Sequence, residues 1–344
     1  MKLRVGLVGL GADWEKRHRP ALLAMSDRFE VRAVCEQVTA RAEHVAREFG
    51  ATPVEGFRTL AEREDVDAVM ILSRQWYGTL PILAACDAGK AVYCATGLEL
   101  DPGRVEHLRR RVDETGIAFM AEFAHRLAPA TIRLKELIAT RLGTPRLVFC
   151  HRRETTPTHR RNGQAKTPAI SPVHPLLDLV DWSCYVVNTR PTSVFGLMHR
   201  APDGSEHEED YQMLNVDFSP PGSPGTGATS QISMGRYMPP DWSEAVSFRP
   251  PAALQVACDN GIAFVDLPSQ LIWFDSAGRH MEALDSERPV GEHLLSQFFR
   301  AVTSLVRSTS NFEDALLAQS VVLAARESLK GKRVAIAPKL TAPE

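Results

Sequence analysis

The sequence has no excess of either charge: 40 Lys and Arg stand against 42 Asp and Glu, for a net charge of −2. A chain so balanced has no broad attraction for nucleic acid or a membrane surface, and small-molecule chemistry is the class that remains. No apolar run is long enough to span a bilayer, and the opening apolar stretch is too short for a secretory segment, so the expected compartment is the cytoplasm. Cys35, Cys86, Cys94, Cys150, Cys184 and Cys258 are scattered, with no Cys-x-x-Cys pair. That pattern reads as reduced core residues in preference to ligands or nucleophiles. The last lack is a glycine. Gly9-Leu10-Gly11-Ala12-Asp13-Trp14 has the first two glycines of a dinucleotide fingerprint and a tryptophan where the third belongs.

What is present around that turn is a strand, Leu3 to Val8, and a helix through His18, Pro20, Leu22 and Leu23. Paired glycines permit the tight turn and let the backbone approach a pyrophosphate, which amides opening the helix neutralise. With Trp14 in the third place, the helix cannot press on the strand as the full fingerprint allows, so the turn must be wider or differently folded. Gly-x-Gly alone also suits an ordinary strand-to-helix turn. A second strand, Glu30 to Cys35, ends at Glu36, where a dinucleotide fold places the acid that accepts the adenosine ribose hydroxyls. A carboxylate there repels a 2′-phosphate and favours NAD over NADP; the plain alternative is a solvated acid at a strand end.

Strands at Asp67–Leu72, Ala91–Cys94 and Ile117–Met120 alternate with helices at Thr39–Phe49, up to Asp87, and Pro102–Thr115. Continuous apolar strands separated by helices predict a doubly wound parallel sheet, with ligand at the carboxyl ends of the strands. After Phe123 the pattern changes. A helix from Ala128 to Thr140 leads to a strand Arg146–Cys150, and Arg152 to Pro172 reads as a long surface loop rich in Arg, Thr, His and Pro. A helix opens at Pro172, strands dominate from Thr192, and Asn260-Gly261 marks a hairpin. Two closing helices complete an α+β half built on a mostly antiparallel open sheet.

In order and spacing, these segments resemble the glucose-fructose oxidoreductase, inositol dehydrogenase and rhizopine catabolism family of sugar and cyclitol dehydrogenases. The likeness runs through Val5–Leu22, Asp67–Leu72, Ala84–Leu98, the Phe123–Pro129 join, the helix at His174, the strand Ser193–Leu197 and the ending Ala324-Ala325-Arg326-Glu327-Ser328. It implies an NAD(P)-binding Rossmann domain over residues 1–123 and an α+β substrate and oligomerisation domain over residues 124–344. In the family, the open sheet of the second domain supports dimers or tetramers. The departures fall on the chemistry. Where the family carries Glu-Lys-Pro, this chain has Ala95-Thr96-Gly97, and Thr96 can neither carry positive charge nor act as a base near neutral pH. Ile170 stands where an Asp often precedes the helix histidine, and the run from Gly11 to His18 is one residue longer than usual.

The resemblance and the residues together give the candidate site. Gly9, Gly11, Ala12, Asp13, Trp14, Glu36, Ser73, Arg74 and Thr96 are expected around the nucleotide. His174 is the candidate general base, with Asp178 one helical turn later to orient it, against the plain reading of an ordinary helix histidine. Glu122 and Arg126, at the end of the sixth strand, either line the substrate cleft or pair with each other. Arg160 and Arg161 belong to a charge run that is either a solvated face or a bidentate site for an acidic sugar. The expected cofactor is NAD, NADP being the lesser candidate, and no metal is expected. The expected partners are a sugar or polyol, neutral or acidic, and further copies of the chain in a homodimer or homotetramer. The activity expected is hydride transfer at a sugar, sugar-acid or cyclitol hydroxyl. The alternatives are a dehydrogenase fold that has lost hydride transfer and serves as a sensor or partner subunit, and an enzyme that retains NAD for transient oxidation during bond cleavage.

Overall fold

The structure is a computed structural model that describes residues 2–73, 77–95, 102–155, 173–200, 209–239, 242, 244, 252–285, 287–304, 310–329 and 334–335. It divides into two compact units, Met1–Leu127 with Arg288–Leu316, and Ala128–Glu287 with Leu317–Glu344. The first unit therefore takes back a segment near the C-terminus that the expected boundary at residue 123 assigned to the second.

In the first unit, β1 (Leu3–Val8), β2 (Phe29–Cys35), β3 (Thr52–Pro53), β4 (Ala68–Ile71), β5 (Ala91–Cys94) and β6 (Phe119–Ala121) form one sheet in the order β3-β2-β1-β4-β5-β6. Every pairing in it is parallel. Helices α1 (Arg19–Ala24), α2 (Thr39–Phe49), α3 (Phe57–Ala61), α4 (Leu80–Asp87) and α5 (Pro102–Thr115) are the crossovers. All four residues of β4, and all four of β5, are buried, because helices cover both faces of the sheet. One core layer joins Leu3, Val5, Leu7, Trp14, Leu22, Met70 and Tyr93 with Leu294, Leu295 and Phe298 of α8 (Val290–Thr303). The opposite layer joins Val8, Val69, Ile71, Val92 and Phe119 with Phe312, at the start of α9 (Ser310–Ser328).

The run from Gly11 to His18 contains a π-helical turn, Trp14–His18, that runs directly into α1. The His18 amide bonds the Asp13 carbonyl five residues back at 3.2 Å, the wider ring that defines such a turn.

The second unit contains α6 (Pro129–Leu137), β7 (Pro145–Thr155), α7 (Val173–Val187) and eight further strands from β8 (Ser193–His199) to β15 (Val334–Ala335). The intervening ones are β9 (Tyr211–Asp217), β10 (Thr229–Met238), β11 (Leu254–Cys258), β12 (Ile262–Asp266), β13 (Gln270–Asp275) and β14 (Gly278–Ala283). The described residues build a nine-stranded sheet, β14-β13-β12-β11-β7-β10-β9-β8-β15. The β7–β10 pair is parallel and the other pairings among the described residues are antiparallel. The expected Asn260-Gly261 hairpin joins β11 to β12. One sheet face packs on α7 through Leu176, Val180 and Trp182, whose indole donates to Thr131 Oγ1 at 3.0 Å. On the other face Leu147, Phe149, Phe195 and Leu197 are each 40% exposed or more.

Two expectations change here. Arg152 to Thr155, read as the start of a loop, continue β7, with Arg152 opposite Met234 and Arg153 opposite Gly235. A charged stretch is held extended because Glu154 takes both Arg152 (2.8 Å) and Arg236 (3.0 Å). The helix expected over Ala128–Thr140 is α6 followed by a second π-helical turn, Ile138–Leu142.

The turn after β1 fixes its own glycines. A Cβ at Gly11 would collide with the Leu72 carbonyl oxygen, and Gly9, at φ +71°, would bring a Cβ to 2.7 Å from Ser73 Cβ. Gly11 is therefore required by packing against β4 even without a ligand. Gly11→Ala is expected to lower the unfolding free energy by about 1–3 kcal/mol in nucleotide-free protein. A urea midpoint unchanged from the parent would contradict this.

Candidate functional site

In the parallel sheet the strand order reverses at β1, which lies between β2 and β4, and the carboxyl ends of the strands at such a reversal are where sheets of this kind receive ligands. The Gly9–Asp13 turn follows β1 at that point. The Gly9 amide bonds the Cys35 carbonyl at 2.8 Å, and the Leu10 amide bonds Glu36 Oε2 at 2.6 Å. The other Glu36 oxygen takes the Gln37 amide at 2.9 Å, while Arg41 stands 3.9 Å from the carboxylate. Glu36 is thus an anchored acid at the end of β2, tied to the turn itself. Among the described residues, the amides of Gly11, Ala12 and Asp13 have no acceptor. Three successive N–H groups left open on one turn form a concavity for an anion.

The structure therefore brings Glu36 and Ser73 against the turn that holds Gly9, Gly11, Ala12 and Asp13. Trp14 departs from its expected place. Its side chain is 1% exposed, its ring packs 6.0 Å from that of Phe49, and its amide turns back to the Gly11 carbonyl at 3.1 Å. The π-helical turn rotates the indole into the core, so Trp14 is a packing residue with neither face nor amide left for a nucleotide. Arg74, Thr96, Arg160 and Arg161 lie outside the described residues, as does the side chain of His174. Position 174 is within α7, and Asp178, half-buried, is one turn further on the same helix.

Below the turn lies a group of residues that the sequence did not reveal as a unit. Glu122, immediately after β6, is 6% exposed and accepts from three side chains. Arg17 Nη1 donates to its Oε1, Tyr93 O–H donates to Oε2 at 2.7 Å, and His18 Nε2 is 2.8 Å from Oε2. Burial pushes the Glu122 carboxyl up, but His18, Arg17 and the Tyr93 hydroxyl outweigh it and bring it down to about 2. Burial, then the Glu122 charge, raises the Tyr93 phenol well above its usual range. Burial also opposes the charge of Arg17, yet Glu122 and then Asp13 raise its pKa further. Arg17 Nη2 reaches Asp13 Oδ2 at 3.3 Å, so a single guanidinium joins the buried carboxylate to the nucleotide turn. The pairing of Glu122 with Arg126 that was one of two expectations does not form. Arg126 lies over the Phe123 ring and bonds Asp314 at 2.8 Å, because helix α9 brings that acid closer. Among the described residues no group of three His, Cys, Asp or Glu side chains could hold a metal.

Residues 3–123 match the family model described as "Oxidoreductase family, NAD-binding Rossmann fold". Over 126 residues the chain is 35% identical to a dTDP-3,4-didehydro-2,6-dideoxy-alpha-D-glucose 3-reductase of Actinomadura kijaniata, covering 35% of this chain and 36% of the relative. Over 203 residues it is 30% identical to inositol 2-dehydrogenase 3 of Saccharopolyspora erythraea, covering 56% of this chain and 59% of that one. The chain thus matches between about a third and three fifths of the length of these curated relatives. A levoglucosan dehydrogenase, solved with NADH and levoglucosan, superposes with a TM-score of 0.83 over 98% of this chain and 100% of that one at 17% identity, a likeness of fold. Residues 3–123 thus carry the NAD-binding Rossmann fold of that oxidoreductase family, and the matched part of the chain is similar to its inositol dehydrogenases.

A depressed carboxyl stabilises the fold above its ordinary pKa of 4.5, and that stabilisation is lost as pH falls towards about 2. At pH 7, Glu122→Gln is expected to cost on the order of 3 kcal/mol, by leaving donors unmatched in the interior. The difference between parent and variant should narrow as pH drops from 4.5 towards 2. A gap constant across that window, measured by denaturant unfolding, would contradict the assignment of the charge to Glu122.

Proposed function

We propose that the chain is an NAD-dependent oxidoreductase that oxidises, or forms, a hydroxyl on a sugar, sugar acid or cyclitol. The observation that carries this reading is the turn with three acceptor-free amides, Gly11 to Asp13, beside an acid anchored at the end of β2. The open amides suit a pyrophosphate, and Gly9 and Gly11 let it approach. Glu36 has its carboxylate where ribose hydroxyls would donate to it, and it would repel a 2′-phosphate. When bound, the nicotinamide supplies the acceptor for a hydride leaving the substrate carbon. Position 174 is on α7, and His174 is our candidate to take the hydroxyl proton, with Asp178 one turn later on the same helix as its candidate partner. Thr96 stands in the sequence where the family carries its lysine, and Arg160 and Arg161 are the candidates to receive an acidic substrate group.

The chain's relatives include sugar and cyclitol dehydrogenases and a deoxysugar reductase, which favours this chemistry over a fold without hydride transfer. None of the six cysteines is in a disulfide, which supports the reading of a reducing compartment such as the cytoplasm. No helix among the described residues is long and apolar enough to cross a membrane.

NADH is expected to bind at least about tenfold more tightly than NADPH, and Glu36→Ser to narrow that ratio. Calorimetry giving NADPH the advantage would sink the assignment of Glu36. His174→Ala is expected to lower kcat by about 100-fold or more while leaving NADH affinity in place. A parent protein that binds NADH yet reduces or oxidises no sugar or cyclitol would instead make it a sensor or partner subunit. We also read the open face of the second sheet, with Phe149 40% and Phe195 44% exposed, as the seat of a second copy. Light scattering should give a dimer or tetramer, and Phe149→Glu with Phe195→Glu should shift it to monomer; a monomeric parent would contradict this.

A further inference from the structure

The nucleotide turn carries a residue that works against its ligand. Asp13 supplies one of the three open amides, but its carboxylate, 49% exposed, also stands at the turn. A negative side chain there repels a pyrophosphate. The second acid of the group, Glu122, is buried and ionised, with 2% of its side chain exposed. Tyr93 is a neutral donor to it. Arg17 is the cation that touches both acids, Asp13 through Nη2 and Glu122 through Nη1, and its side chain is 26% exposed. The π-helical turn sets this geometry. The Arg17 amide bonds the Asp13 carbonyl at 2.9 Å, so residue 17 lies over residue 13, with its guanidinium between the turn and the buried carboxylate.

We propose that Arg17 is the specificity-setting counter-charge of the nucleotide site: by holding Asp13 in an ion pair, it cancels the repulsion that Asp13 would exert on the pyrophosphate, while Glu122 fixes Arg17 in place. Arg17 is then a positioning residue acting through Asp13. This inference rests on the reading that a dinucleotide binds at the Gly9–Asp13 turn. A guanidinium suits the task because it stays charged when partly buried and offers separate N–H edges to two carboxylates. The plain alternative is that the ion group only staples the π-helical turn to the sheet.

Repulsion of phosphate and loss of a staple differ in what they do to ligands with and without phosphate. NADH and adenosine are titrated against the full chain and three variants, Asp13→Asn, Arg17→Met and the double substitution, with thermal unfolding of each nucleotide-free protein in parallel. Asp13→Asn releases the Arg17 charge from its ion pair, so it is expected to tighten NADH by about threefold or more and to leave adenosine within about twofold of the parent. Arg17→Met should weaken NADH about tenfold relative to adenosine, and adding Asp13→Asn should restore most of that loss even though the stability lost with Arg17 is not regained. NADH and adenosine weakened in parallel by Arg17→Met, or no gain of NADH affinity with Asp13→Asn, would overturn the proposal and leave a staple only. Should Arg17→Met fail to fold, Arg17→Gln, which keeps donors in the interior but not the charge, takes its place in the same cycle. A parent that binds no NADH overturns the dinucleotide reading itself, an outcome distinct from a parent that binds it and variants that move both ligands together.

Discussion

A carboxylate kept ionised away from water is the constraint around which the first unit is arranged. Glu122 would be costly where it lies without donors, and three side chains from two separate elements meet that need. Arg17 and His18 come from the helical run after the nucleotide turn, and Tyr93 comes from β5. The carboxylate therefore ties the second half of the parallel sheet to the helix that opens at β1. The Tyr93 ring packs edge-on against Phe298 and His18, so the polar group is enclosed by the same core layer that holds Trp14 and Leu22. Moving any one member leaves a buried polar atom unmatched, which resists deformation of the π-helical turn.

That rigidity carries over to the turn after β1. The amides of Gly11 to Asp13 point no hydrogen bond at a described residue, whereas Gly9, Leu10 and Trp14 on either side are bonded back to the protein. The turn is thus held at both ends and open in the middle, and it needs little reorganisation to receive an anion. Glu36 fixes Leu10 there, and in the function we propose the same carboxylate meets the ribose. Sequence, packing and function meet at Gly11, where the close approach of the Leu72 carbonyl excludes a side chain whether or not a ligand is bound.

The parallel sheet was legible because strands buried on both faces appear as continuous apolar runs, as in Val69 to Leu72. The length of the run from Gly11 to His18 could be counted, but the π-helical turn within it and the rotation of Trp14 inward could not be foreseen. The Glu122 group was not legible. Arg17 is 105 residues from Glu122 in the chain, and Tyr93 sits in a strand where an aromatic residue reads as ordinary core. Nor did Arg152 to Thr155 look like a strand, since the ion pairs of Glu154 that keep it extended depend on Arg236, far along the sequence. Local pattern thus revealed the elements, while buried charge, whose partners are set by tertiary contact, had to be read from the fold.

The claim at the centre of this account is that the open amides of the β1 turn receive a dinucleotide. Hydrogen–deuterium exchange of the intact protein with and without NAD tests it most directly, resolved to the amides of residues 9–18. The account predicts that Gly11, Ala12 and Asp13 exchange rapidly in the free protein and gain protection on addition of NAD, while Leu10, already bonded to Glu36, changes little. Saturable NAD binding that leaves the exchange of Gly11 to Asp13 unaltered would contradict it.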